Sequence, residues 1–187
     1  HYNLEYLNTG ALYRIAALRY LKMNLTAENF EVNIPNLVKD LDQEDFENEE
    51  LFTEITGEAA SKIAKNQKLR SALFNFQQDF IKNGVENSNG AIMDGRDIAS
   101  IIMPQADFKF FVTADVEVRA KRRFLQLQDK GEDVAFDEIL RQLKVRDEND
   151  KNRDKSPLVI DKNAIIIDNS NLSKQQTFQK VIDVVEQ

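Results

Sequence analysis

The sequence contains no cysteine and no tryptophan, and its only histidine is the first residue, His1. The absence of cysteine excludes disulfides, thiolate nucleophiles and cysteine metal ligands. A lone histidine at the first position excludes an internal serine–histidine triad and a histidine metal cluster. Any chemistry must therefore rest on carboxylates, arginine, lysine and hydroxyl groups.

Long apolar runs are also missing. No stretch approaches the ~18 consecutive apolar residues that a membrane span needs. The opening HYNLEYLNTG lacks the basic start and apolar centre of a secretory signal. We therefore expect a protein of the cytoplasm, which the lack of cysteine also favours. With 187 residues, 42% of them hydrophobic, the chain is long enough for one domain that carries a smaller insert.

Charge is unevenly distributed along the chain. The net charge of -7 argues against nonspecific nucleic-acid binding, which needs a continuous basic surface. Most of the acidic excess lies in residues 26–60, whereas arginine and lysine concentrate in residues 117–155. The later segment is therefore the better candidate for holding a small anion.

Short apolar segments alternate with helical patterns. Strands are predicted at residues 4–7, 91–94, 108–113 and 164–168. Helices are predicted at residues 11–22, at 53–83 with a break at 66–67, at 115–131, at 136–150 and from 173 onward. Thr9 or Asn8 is a candidate cap for the first helix, and Asp115 for the third. This alternation predicts an α/β fold, a parallel β-sheet core flanked by helices on both faces, with ligands at the carboxyl ends of the strands.

Polar clusters follow two of these strands. AIMDGRDIA ends its apolar run in Asp94-Gly95-Arg96-Asp97, and LNTGALYR places Thr9 and Arg14 at the start of a helix. A helix start favours an anion, and an arginine could clamp it. The alternatives are a polar turn in the first case, and an ordinary cap with a surface arginine in the second.

Two later segments are rich in charge. In RDENDKNR, the spacing of Arg146, Asp150 and Arg153 places all three on one face of a continuing helix. A solvated face with ion pairs within the helix would give the same pattern. RAKRR, residues 119–123, could reach phosphates, but it also fits the solvent-exposed face of an amphipathic helix.

The order and spacing of these segments resemble those of a known family. YLNTGALYR resembles the hLDTGAhYR element of bacterial cytidylate kinases, in which h is apolar. AIMDGRDIASIIMPQADFKFFVTADVEVRAKRR resembles their DGRDhGThVhPxAxxKhhhxAxxxxRAxRR, and the similarity continues through VRDENDKNRDKSPL. The resemblance implies a P-loop-type nucleoside monophosphate kinase that transfers the terminal phosphoryl group of ATP, with Mg²⁺, to CMP or dCMP.

The resemblance also implies a domain organisation. A core would comprise residues 1–25 and 84–187, residues 26–83 would form a monophosphate-binding insert, and residues 146–157 would form a lid. Such an enzyme would bind CMP or dCMP and ATP as a monomer, with neither nucleic acid nor membrane as a partner.

Roles for individual residues follow from the same resemblance. The positions that would hold the monophosphate are Thr9, Arg14, Arg96 and Arg153. Arg146 and Asp150 would hold the sugar and neighbouring phosphates, while Ser61, Arg70 and Asp97 would read the base. A carboxylate suits cytosine because it accepts from the exocyclic amino group, whereas uracil presents an acceptor there.

Catalysis in this family would rest on arginines. Since phosphoryl transfer depends mainly on positioning and electrostatic stabilisation, Arg96, Arg146 and Arg153 are the candidate catalytic residues. Arg122 and Arg123 are candidates for the ATP phosphates. The metal ligands are not identified by the sequence.

Three departures from the family pattern stand out. No G-x-x-x-x-G-K phosphate loop occurs, from which we expect that the sequence is an incomplete record of the protein. A second gap is expected near residues 41–44, where the family carries extra strands. Asn8 replaces an aspartate, and Phe52 stands about where many relatives have an arginine. A kinase for another monophosphate such as UMP, or a noncatalytic pyrimidine-nucleotide-binding domain, remains an alternative.

Overall fold

The computed structural model describes residues 1–152 and 158–187. The chain forms two compact units, His1–Ile98 and Ala99–Gln187. Within the described residues each unit has one two-stranded parallel sheet. No helix of that part of the chain is long and apolar enough to cross a bilayer.

The first unit is a small sheet with five helices. Strand β1 (Glu5–Asn8) pairs in parallel with β2 (Ala91–Asp94), and the register sets Asn8 opposite Asp94. Between the strands lie α1 (Thr9–Lys22), α2 (Ala27–Val38), α3 (Gln43–Glu47), a 3₁₀ turn (Glu49–Phe52), α4 (Glu54–Ile63) and α5 (Gln67–Asn87).

The core of this unit lies where α1, α2, α4 and α5 meet. Leu12, Leu37, Leu69 and Leu73 are fully buried there. The i, i+4 spacing in α5 continues to Gln77, which is also buried and donates to the carbonyl oxygen of Leu73 at 2.9 Å. Each fully buried leucine contributes roughly 1.5–3 kcal/mol, so these contacts fix the helices that carry the strand-end residues.

The second unit repeats the strand–helix theme. Strand β3 (Phe110–Thr113) pairs in parallel with β4 (Ile165–Asp168). Helices α6 (Val116–Asp129) and α7 (Phe136–Asn152) lie between them in sequence, and α8 (Lys174–Val185) follows β4. Ala120, Leu127 and Ile139 form the apolar contact between α6 and α7. A π-helical turn, Ile98–Ile102, precedes β3.

The predicted parallel α/β architecture is confirmed, with small shifts of bounds. Helix α1 begins at Thr9, because the side chain of Asn8 is the cap and accepts from the backbone N–H of Ala11 at 3.1 Å. Asp115 occupies the predicted cap position of α6, but its side chain makes no capping bond. Its backbone N–H instead donates to Ser170 Oγ at 2.8 Å. Helices α2 and α3 lie in the acidic segment, where no element was predicted.

Candidate active site

The two strands of the first unit end at one corner. Because Asn8 lies opposite Asp94, the start of α1 and the turn Gly95-Arg96-Asp97 leave the sheet side by side. Buried Thr9 donates from Oγ1 to the carbonyl oxygen of Asp94 at 2.7 Å. Tyr6 in β1 donates from its hydroxyl to Asp94 Oδ2, also at 2.7 Å. Both the backbone and the side chain of Asp94 are therefore held from the β1–α1 segment.

An ion pair fixes the far end of the turn. Arg70 Nη2 in α5 donates to Asp97 Oδ2, and the two side chains are only 11% and 12% exposed. The guanidinium of Arg70 also lies 5.9 Å from the ring centroid of Tyr13 in α1. A charge pair this well buried holds its carboxylate in one place.

Arg14 and Ser61 both lie beside Gly57. Arg14 donates from Nη1 to the carbonyl oxygens of Leu51, at 2.6 Å, and Thr53, at 3.4 Å. A Cβ built on Gly57 would lie 3.1 Å from both Nη1 and Nη2 of Arg14. Ser61 donates from Oγ to the Gly57 carbonyl oxygen at 3.1 Å. The guanidinium of Arg14 can lie in this position because Gly57 has no side chain.

The first unit contains six of the predicted site residues. Arg96 is exposed in the turn between the two held positions, Asp94 and Asp97. These six residues are Thr9, Arg14, Ser61, Arg70, Arg96 and Asp97. Thr9, Arg70, Arg96 and Asp97 lie at or against the sheet corner, whereas Arg14 and Ser61 lie beside Gly57. Cationic groups and a fixed carboxylate at a strand end suit a small ligand with both an anionic and an amino-bearing end.

Arg146 and Asp150 lie in α7 of the second unit, and Arg153 lies outside the described residues. Helix α7 is tied to α6 by a bidentate pair, in which Arg119 Nη1 and Nη2 donate to Asp147 at 3.0 and 2.6 Å. Arg119 Nε also donates to the carbonyl oxygen of Ala114, just after β3, at 3.0 Å. One arginine therefore connects the end of a strand with the helix that carries Arg146.

The predicted ATP-phosphate residues make contacts of their own. Arg122 donates to Oδ1 and the carbonyl oxygen of Asn169, at 2.9 and 2.7 Å, in the segment that follows β4. Arg123 donates to Gln126 Oε1 at 2.9 Å. Arg122 thus lies against the carboxyl end of β4, and Arg123 bonds within its own helix.

Electrostatics at the corner favour protonated Tyr6. Partial burial and the hydrogen bond to the Asp94 carboxylate raise the pKa of Tyr6 to about 12. The tyrosine therefore remains a donor to Asp94 at neutral pH. Within the described ranges no group of three or more histidine, cysteine, aspartate or glutamate side chains could hold a metal ion.

Four residues at these sites were not singled out from the sequence: Tyr6, Tyr13, Gly57 and Arg119. Tyr6 and Tyr13 lie inside the YLNTGALYR element and Arg119 lies inside RAKRR, so these three had a local signal. Gly57 had none, because its partner Arg14 lies in a different helix.

The structure has parallel strands flanked by helices, with arginines and carboxylates at the strand ends. This arrangement is that of a nucleoside monophosphate kinase fold. The family model for cytidylate kinase matches residues 1–187, and this chain belongs to that family.

Curated relatives are similar over nearly all of the chain. A cytidylate kinase of Rhodopseudomonas palustris is 38% identical over 186 residues, covering 100% of this chain and 85% of the relative. One of Bartonella tribocorum is 40% identical over 178 residues, covering 95% and 80%. One of Clostridium botulinum is 34% identical over 199 residues, covering 98% and 87%.

Proposed function

We propose that the protein is a cytidylate kinase, which transfers the terminal phosphoryl group of MgATP to CMP or dCMP and releases CDP or dCDP. The observation that carries this proposal is the buried Arg70–Asp97 pair, which fixes a carboxylate one residue from exposed Arg96. A phosphate held by the arginine and a base facing the carboxylate would belong to one small nucleotide.

Asp97 is the proposed base reader. Its carboxylate accepts from the 4-amino group of cytosine, while Arg70 supplies donors for the ring acceptors. Exposed Ser61 would add a donor once its hydroxyl turns away from the Gly57 carbonyl oxygen. Uracil would turn a carbonyl oxygen toward Asp97, and two acceptors facing each other in a partly buried site are unfavourable. The Arg70 bond that fixes Asp97 supports this reading, because a base-reading carboxylate must be held in position before the ligand arrives.

The monophosphate would be bound at the same corner, in the insert of residues 26–83 and the adjoining core. Arg14 and Arg96 are the proposed ligands within the described residues, with Thr9 beside them, and Arg153 is proposed as a further ligand. Arg14 is half-buried, with its guanidinium already oriented by the carbonyl oxygens of Leu51 and Thr53. An oriented guanidinium binds phosphate with two parallel hydrogen bonds and little loss of side-chain entropy.

The second unit is proposed to serve the reacting phosphates. Arg146 and Asp150 would contact the sugar and phosphates, and residues 146–157 would close as a lid that excludes water. Arg96, Arg146 and Arg153 would stabilise charge on the transferring group. Arg122 and Arg123 are proposed for the ATP phosphates.

Mg²⁺ would arrive as part of the substrate. The described residues offer no cluster of acidic side chains for a resident ion, and Mg²⁺ in phosphoryl-transfer sites is bound largely by the substrate phosphates and water. We also propose that the enzyme acts as a monomer in the cytoplasm.

A coupled assay of ADP release tests the proposal. The protein, expressed from its complete reading frame, is supplied with MgATP and, in turn, CMP, dCMP, UMP, AMP and dTMP. We expect turnover with CMP and dCMP, and much lower kcat/KM for UMP. Binding of cytidine monophosphates without ADP release would identify a noncatalytic binding domain, and a higher kcat/KM for UMP than for CMP would contradict the role of Asp97.

A further inference from the structure

The Thr9 hydroxyl already donates its only hydrogen to a backbone carbonyl oxygen. A threonine hydroxyl has one hydrogen to donate, and its oxygen can only accept in other directions. Here the hydroxyl donates that hydrogen to the carbonyl oxygen of Asp94 at 2.7 Å, and Thr9 is only 4% exposed. A phosphate dianion presents acceptors alone, so Thr9 cannot donate to it while this bond persists.

Gly95 makes the bond possible. A Cβ built on Gly95 would overlap Thr9 Oγ1 and would lie 3.1 Å from Ile98 Cδ1. The turn can approach the start of α1 this closely only because residue 95 has no side chain. The contact therefore requires both the hydroxyl of Thr9 and the absence of a side chain at Gly95, although the two residues lie far apart in the sequence.

The contact joins α1 to the turn that carries both proposed recognition groups. Arg96 and Asp97 are the two residues that follow Gly95, and the Asp97 side chain is separately held by Arg70. The Thr9 bond therefore fixes the backbone at the start of the turn, while Arg70 fixes the side chain at its end. Loss of the first anchor would let the backbone of Arg96 and Asp97 shift as one.

We infer that Thr9 is a positioning residue, whose hydroxyl fixes the Gly95-Arg96-Asp97 turn and so sets the selectivity of the site for cytosine, instead of donating to the monophosphate. The inference rests on the proposed function, because it uses the role of Asp97 as base reader. It differs from the direct phosphate contact that the family resemblance implies for Thr9.

Base selectivity distinguishes the two roles. A residue that binds phosphate contributes equally to CMP and UMP, since both carry the same phosphate. A residue that positions Asp97 contributes more to CMP, since only cytosine offers the carboxylate an amino group. The ratio of the dissociation constants for UMP and CMP is therefore the informative quantity, and a general loss of stability would not change it.

The experiment uses isothermal titration of the purified protein with CMP and with UMP for four variants. Thr9→Val removes the hydroxyl and keeps the shape, Thr9→Ser keeps the hydroxyl, and Gly95→Ala blocks the contact from the other side. Tyr6→Phe is the matched control, because it removes the other bond to Asp94 and leaves the Thr9 bond in place. Thermal unfolding by circular dichroism confirms that each variant is folded.

Thr9→Val and Gly95→Ala are expected to lower the selectivity ratio by roughly three- to tenfold, the effect of about one hydrogen bond. Thr9→Ser and Tyr6→Phe are expected to stay within about twofold of the wild type, a margin well below one hydrogen bond. Equal weakening of CMP and UMP by Thr9→Val would assign the hydroxyl to the phosphate and overturn the inference. An unchanged ratio and unchanged affinities would overturn it as well.

A ligand-free measurement separates this inference from the proposed function. The backbone amide resonances of Gly95, Arg96 and Asp97 are compared by NMR in the wild type, Thr9→Val and Thr9→Ser. The inference expects all three to shift in Thr9→Val and to shift far less in Thr9→Ser; absence of that contrast would refute it. If the contrast is present but the wild type does not distinguish CMP from UMP, the proposed base reading fails while the anchoring of the turn stands.

Discussion

Removal of either member of the Arg70–Asp97 pair is expected to destabilise the first unit strongly. The side chains are 11% and 12% exposed, so Asp97→Ala removes the carboxylate that faces a largely buried guanidinium, and Arg70→Ala removes the guanidinium that faces a largely buried carboxylate. Truncation of one partner of a buried pair typically costs about 3–5 kcal/mol. Arg70 keeps its contact with the Tyr13 ring, so the lower end, about 3 kcal/mol, is expected for Asp97→Ala.

The double variant should cost less than the sum of the two single variants. With both charges removed, no uncompensated charge remains buried, and we expect a coupling free energy of about 2–3 kcal/mol. A suitable control is the exposed pair of Lys68 and Glu31, whose side chains are 69% and 46% exposed. Its cycle is expected to show no measurable coupling, because water screens such pairs.

Tyrosine fluorescence is a specific probe for this measurement. The chain has four tyrosines and no tryptophan, and Tyr2, Tyr6, Tyr13 and Tyr20 all lie in the first unit. Urea unfolding followed by tyrosine emission therefore reports on the unit that contains the pair. If the free energies of the two single variants simply add in the double variant, the pair is not coupled, and the electrostatic reasoning behind the site is wrong.

Three further outcomes are expected. Gly57→Ala should weaken CMP binding several-fold, because the added Cβ lies 3.1 Å from the guanidinium nitrogens of Arg14; unchanged titration with CMP would contradict this. Arg119→Asp, which reverses the charge, should lower kcat for every monophosphate in the ADP-release assay. The double variant Arg119→Asp with Asp147→Arg should restore part of that kcat. No recovery would mean that the pair does not position α7. The phenol of Tyr6 should titrate near pH 12 by NMR of labelled tyrosine. Because its pKa is raised on folding, its contribution to stability should be complete below pH ~10 and lost as the pH rises through 12. A midpoint near 10 would show that the bond to Asp94 does not persist in solution.

Local signals predicted the elements well where a sharp change of residue type marks the boundary. Strand β2 spans Ala91–Asp94, as predicted, because an apolar run there meets a carboxylate and a glycine. The break between α4 and α5 falls at Asn66, whose side chain caps α5 by accepting from the backbone N–H of Leu69. In the acidic segment the charges obscured the apolar spacing, and α2 with its buried Phe30, Ile34 and Leu37 was not predicted.

The pairings at the site could not be read from local sequence. Arg70 and Asp97 are 27 residues apart, and Thr9 and Asp94 are 85 apart, so only the packed helices and the strand register bring them together. Residue type and family resemblance nominated the individual members of the site. What each side chain donates to, and therefore what it has left for a ligand, depends on tertiary structure.

The cap of α1 shows why that distinction matters. Either Asn8 or Thr9 had the chemistry to cap the helix, and in the structure Asn8 does so, at 3.1 Å from the nitrogen of Ala11. The Thr9 side chain is thereby left for the turn, to which it donates. The amide of Asn8 satisfies the helix terminus without a charge, whereas the aspartate that the family pattern places there would add a negative charge at the same corner. A neutral cap adds no negative charge at the positive end of the helix dipole, and this favours an incoming phosphate.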